Sequence, residues 1–273
     1  MNIAEQPDQA RTIWFKTLLA VQIAAAGLFG VVPFFFPETA ADAGGYTGAE
    51  PFIYRLAGAA ALGYAVAAAL TLANPAWFRF RIPAGASYVF NAGAVVAAVI
   101  TLIEGDDNFW VWFILFAAAA FVLILIYVTR RDQGPSAPSE PTLDRAARLL
   151  LTLATVAAAF FGLAPLFAAS FFADLASFDP ADPYIYRLAG AATLGYAFGG
   201  YLSLKDGRWE AIRAQNAAAI VFNGLSAIGG LMYVLAGGRS IVGWLIVVAA
   251  TAFTIGFAVL HARRGRLSSR ASA

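Results

Sequence analysis

A fifteen-residue segment occurs twice in this chain. Residues 51–65 read PFIYRLAGAAALGYA and residues 183–197 read PYIYRLAGAATLGYA, identical at thirteen positions and offset by 132 (183 minus 51). Self-similarity at a fixed offset means that one structural unit is used twice. The same offset pairs Gly30 with Gly162, Pro33 with Pro165, Asn91 with Asn223, Trp112 with Trp244 and Arg131 with Arg263, without a slip in register. Each copy also carries a charged residue, Arg55 or Arg187, inside an apolar run.

Those runs set the environment. A helix rising 1.5 Å per residue needs roughly 20 apolar residues to cross about 30 Å of hydrocarbon. Eight runs of that kind lie near 13–36, 52–73, 84–103, 108–129, 147–172, 184–204, 214–236 and 240–261. With 61% hydrophobic and 12% charged residues, the chain has too little polar surface to coat a soluble domain. The Ala- and Gly-rich runs suit close helix packing in lipid and lack the alternation of a β-barrel. The expected fold is all-α: a polytopic integral membrane protein of eight transmembrane helices, arranged as two parallel tandem four-helix repeats.

Residues 132–144, DQGPSAPSEPTLD, have no apolar periodicity and read as a flexible cytoplasmic linker. The expected division is therefore a first repeat at 1–131, the linker at 132–144, and a second repeat with a basic tail at 145–273. Four spans per unit is even, so both units enter the membrane the same way round, about an axis along its normal. Fifteen of the eighteen basic residues precede or open span 1, or fall between spans 2 and 3, around the linker, between spans 6 and 7, or in the tail. Positive charge collects on the cytoplasmic side, which predicts two cytoplasmic termini in a membrane of the bacterial inner or cell type. The N-terminus has no basic n-region or A-x-A-like site, so span 1 reads as an uncleaved anchor.

Within the repeat, Glu50 and Asp182 are acidic candidate N-caps, followed by Pro51 and Pro183 at the first helical position. Arg55 and Arg187 then sit roughly 7 Å below the outer boundary, within snorkelling reach. The kink residues Pro33 and Pro165 would free the carbonyls of Phe29 and Phe161 for those guanidinium groups. The alternative for the arginines is an anion-binding vestibule on the repeat axis. Tyr64 and Tyr196 lie nine residues on, across their helix from the arginines, and at the depth of Asn91 and Asn223. A Tyr64–Asn91 bond and its Tyr196–Asn223 copy are expected as interhelical glue, with a solute-lining role as the alternative.

The chemistry-bearing motifs are missing. With no cysteine and one histidine, His261, read as a cationic interface residue, there is no thiolate, iron–sulfur or multi-histidine metal site, and no cofactor or metal is expected. No P-loop, Rossmann fingerprint, H-E-x-x-H or nucleophile triad occurs, and no basic stripe points to nucleic acid. The acidic run Glu104, Asp106 and Asp107 reads as a solvated turn, because its copy is GGRS. The favoured function is a non-enzymatic structural or accessory subunit that binds membrane lipids and partner membrane proteins or further copies of itself. The alternative is a channel or facilitator for a small anionic or neutral solute along the inter-repeat axis.

Overall fold

The computed structural model describes residues 9–46, 49–131, 143–179 and 181–271; most of the proposed linker, 132–142, lies outside them. Ten helices and no strand occur among the described residues: α1 Gln9–Phe35, α2 Pro37–Ala43, α3 Pro51–Ala73, α4 Trp77–Ile103, α5 Phe109–Arg131, α6 Arg145–Phe167, α7 Ala169–Ala176, α8 Pro183–Asp206, α9 Trp209–Leu235 and α10 Ile241–Ala271. Seven of them are long and apolar enough to cross a membrane: α1, α3, α4, α5, α6, α9 and α10. The exception is α8. It is 24 residues long, but Thr193, Ser203, Lys205, Asp206 and several tyrosines and glycines lower its hydropathy. Much of it is buried among other helices, so its surface need not match lipid.

Local chemistry explains the helix ends. The Glu50 side chain accepts from the Phe52 N–H at 3.1 Å and the Asp182 side chain from the Ile185 N–H at 3.0 Å, each ahead of a proline that has no N–H to leave unpaired. Asp144 does the same for α6, accepting from the Ala147 N–H at 2.8 Å. Pro33 and Pro165 lie two residues before the ends of α1 and α6. The chain leaves helical geometry just beyond, at Phe36 (φ −130°, ψ 57°) and Ala168 (φ −136°, ψ 53°), and resumes as the short helices α2 and α7. The run expected at 147–172 is therefore two helices joined at Ala168.

Packing crosses between the halves of the sequence. α3 lies between α1 and α9, and α8 between α6 and α4, while α5 packs on α4 and α10 on α9. Each half thus lends its third long helix to the partner's central helix. Small residues allow the close approaches. A Cβ on Gly58 would stand 2.6 Å from the Gly30 carbonyl oxygen, and one on Gly190 would stand 2.6 Å from that of Gly162.

At the centre α3 meets α8. Tyr64 donates its hydroxyl to the Ala192 carbonyl at 2.9 Å, and Tyr196 donates to the Ala60 carbonyl at 2.9 Å. The rings lie 4.8 Å apart, and each is stacked on a phenylalanine, Tyr64 on Phe90 at 5.1 Å and Tyr196 on Phe222 at 4.5 Å. Every partner in this set has its counterpart 132 residues away.

Candidate functional site

Three polar regions lie within or beside the helices. The first is the α3/α8 crossing. Here the expected Tyr64–Asn91 and Tyr196–Asn223 bonds do not form. The tyrosines reach across to the opposing central helix, while Asn91 donates to the Ser87 carbonyl and Asn223 to that of Ala219, each one turn back and each at 2.8 Å. A carbonyl is present at every turn of a neighbouring helix, so a tyrosine hydroxyl needs no matching side chain. Tyr64 is 2% and Tyr196 7% exposed, so the pair fills the crossing.

The second region is the outer end, where the arginines part company. Arg187, 4% exposed, donates to the Thr101 hydroxyl at 3.0 Å and to Glu104 at 2.6 Å, tying α8 to α4. It does not use the freed carbonyl of Phe161. The counterparts of Thr101 and Glu104 are Tyr233 and Ala236, which offer Arg55 no such carboxylate. The Nε of Arg55, set against Gly229 of α9, has no hydrogen-bond partner among the described residues. Glu104 also removes the expectation of a fully solvated acidic turn. A second acid of that turn, Asp106, accepts from Tyr46 at 2.5 Å. Asp182 does more than cap α8, accepting from Tyr54 at 2.5 Å. Burial pushes the Asp182 carboxyl up to about 6, against the opposing pull of hydrogen bonds from Tyr54 and from the N–H groups of Ile185 and Tyr184. Desolvation also raises Glu50, with Asp179 adding to the rise and the cap bond from the Phe52 N–H and the Arg55 charge opposing it.

The third region was not anticipated. A cavity of about 140 Å³ lies between α6, α8, α9 and α10, with Ile53 and Leu56 of α3 closing one side. Among the described residues its wall is mainly aliphatic and aromatic and contains no Asp, Glu, Lys or Arg. Four of the residues around it, Thr155, Gln215, Asn216 and Ser226, each carry a side-chain oxygen that is buried and has no hydrogen-bond partner among the described residues. The Asn216 amide donates to the Phe257 carbonyl at 3.2 Å and lies 3.3 Å from His261 Nδ1, and the imidazole packs on Trp209 with ring centroids 5.3 Å apart. His261 is thus drawn into α9–α10 packing and is not simply a cationic interface residue.

Among the described residues no group of three or more His, Asp or Glu side chains could hold a metal ion. Around the cavity the polar groups are neutral and lie in an apolar setting. Comparison with protein families, with curated proteins and with solved structures found no match.

Proposed function

We propose that this chain is a non-enzymatic structural or accessory subunit of a membrane assembly, with eight transmembrane helices in two parallel four-helix units, 1–131 and 145–273. In this reading α8 crosses the membrane with the seven more apolar helices, because it copies α3 and is enclosed by them. An even number of crossings places both termini on one side, and the positive excess makes that side the cytoplasm. Its partners are membrane lipids and either other membrane proteins or a second copy of the chain.

The observation that carries the reading is the α3/α8 crossing. A facilitator working along the inter-repeat axis needs a polar path there, whereas Tyr64 and Tyr196 meet ring to ring and use both hydroxyls on opposing carbonyls. Large apolar side chains are exposed on the outside, including Phe116, Leu123, Phe160 and Phe171, a surface fitted to acyl chains or other spanning helices.

Affinity capture of the tagged full-length chain in mild detergent, with mass spectrometry of the eluate, is the direct test. A stoichiometric membrane-protein partner or a defined homo-oligomer is the expected result, together with vesicles no more permeable to small anions and neutral solutes than empty ones. A lone monomer that raises permeability overturns the proposal.

A further inference from the structure

We propose that the end of α3 and the starts of α4 and α9 form a binding site for a phosphate-type oxyanion, held between the guanidinium groups of Arg79 and Arg213. The proposal goes beyond the subunit reading and does not rest on it; the capture experiment can fail and leave it standing.

The duplication supplies the comparison. The packing of α8 on α4 is copied, at an offset of 132, by that of α3 on α9. In the first of these pairs Arg81, near the start of α4, forms an ion pair with Asp206 at the end of α8. The counterparts of Arg81 and Asp206 are Arg213 and Asn74. The cation is kept, and its carboxylate is replaced by a neutral amide. A second cation is then added, because Arg79 stands where the other copy has Ala211. Arg79 donates to the Asn74 carbonyl at 3.4 Å, and its Nε is buried without a hydrogen-bond partner among the described residues. A Cβ on Gly63 would stand 2.8 Å from the Ala218 carbonyl oxygen, and one on Gly229 would stand 3.2 Å from Arg55 Cβ. α3 and α9 therefore run antiparallel, which brings the end of α3 to the start of α9. Simple decay of an ion pair would account for the lost carboxylate but not for the extra arginine.

Arg213 is exposed, and among the described residues it forms no ion pair. Its charge bears on both Arg79 and His261. Like charges held near one another repel, and an anion between them removes that repulsion. Among the described residues the carboxylate whose charge is felt at Arg79 is Glu210, so two arginines face one acid. A guanidinium is a planar fork of N–H donors that meets two oxygens of a phosphate at once, and two forks can engage one such group from different sides. Because Arg213 is exposed, the anion reaches it without entering the protein. Trp77 and Trp209 open α4 and α9, the level at which spanning helices meet lipid headgroups. Basic pockets between such helices take up phosphate headgroups there. The same chemistry would accept a free phosphate.

The test uses the full-length protein, stripped of lipid in an uncharged detergent. Inorganic phosphate is titrated at constant ionic strength, with chloride as comparator, and the melting temperature is followed. Native mass spectrometry with added phosphatidylglycerol or phosphatidylcholine forms the second arm. Arg213→Gln removes one fork, and Asn74→Asp restores the carboxylate that the other copy has. Each should weaken binding by about tenfold while melting no lower than the parent when phosphate and lipid are absent. Arg239→Gln, which removes an exposed cation beyond the far end of α9, should bind as the parent does. Two sources of the anion are distinguished, both supporting. Preferential retention of phosphatidylglycerol by the parent but not by the two variants marks a lipid headgroup, whereas a saturable phosphate response without that retention marks a free oxyanion. Absence of both responses overturns the proposal. So does a rise that both variants share in full, which is the general salting effect of phosphate. Arg213→Gln melting well below the parent without phosphate would show that the chain already neutralises that charge, and this also overturns it.

Discussion

Asp182 shows how one residue can carry both local and long-range work. It caps α8 through the Ile185 N–H, accepts from Tyr54 of α3, and is 2% exposed. Its carboxyl is raised to about 6 from an ordinary value of 3.8, so the folded state favours the protonated form. A folded-state value above the unfolded one gives stability that is fully present below about pH 4 and lost as the pH rises through about 6. The gap corresponds to at most about 3 kcal/mol. Asp182→Asn keeps a cap and an acceptor while removing the charge. Thermal unfolding followed by tryptophan fluorescence should find the variant at least as stable as the parent at pH 8, and without the parent's loss between pH 4 and 7. A variant less stable at pH 8 would show that the charged carboxylate is needed. Little of this residue's role was legible in advance. Sequence places Asp182 at a helix start because proline follows it, but nothing in the sequence near position 182 points to Tyr54, 128 residues earlier.

Among the helices, α3 and α8 depend on backbone approach more than on polar bonds. A Cβ on Gly195 would collide with the Tyr64 hydroxyl and lie 2.6 Å from the Ala86 carbonyl oxygen, a backbone atom that cannot swing aside. Gly195→Ala should therefore destabilise the fold by roughly 1 to 3 kcal/mol, although alanine is the better helix former. Gly27→Ala, where nothing lies within 4 Å of the new Cβ, should be neutral or mildly stabilising. The two variants can be compared by thermal melts in one detergent. The Ala- and Gly-rich character of these runs was readable as a packing face. Its partner was not, since a face of Ala and Gly accepts any helix that fits, and the structure gives α3 to α9 and α8 to α4. Helix starts were readable for the opposite reason: proline and an acidic cap act within four residues of one another. The cavity escaped notice because empty space has no sequence signature of its own. Its trace was nonetheless present in paired positions such as Phe15/Ala147 and Ile23/Thr155, where the copies differ in volume and polarity.

For the molecule as a whole, the exchange of third helices means that neither half is packed alone. Residues 1–131 expressed by themselves leave α3 without α9 and α4 without α8. Co-expression of 1–131 and 145–273 as separate chains should give a complex that co-purifies and melts cooperatively, whereas either piece alone should aggregate or be degraded. Independent folding of one piece would show that the crossed contacts are dispensable. On the proposed reading of two repeated units, the crossed contacts also bear on how such a chain arises. A single four-helix unit with this contact set would be complete only as a pair of identical molecules, each clasping the other. Joining the two copies in one chain makes that encounter intramolecular, so it no longer depends on protein concentration. It also releases the copies from identity. In a symmetric pair, any residue that hollows one core hollows both. In the fused chain one core can stay filled and carry the fold, while the other is free to open.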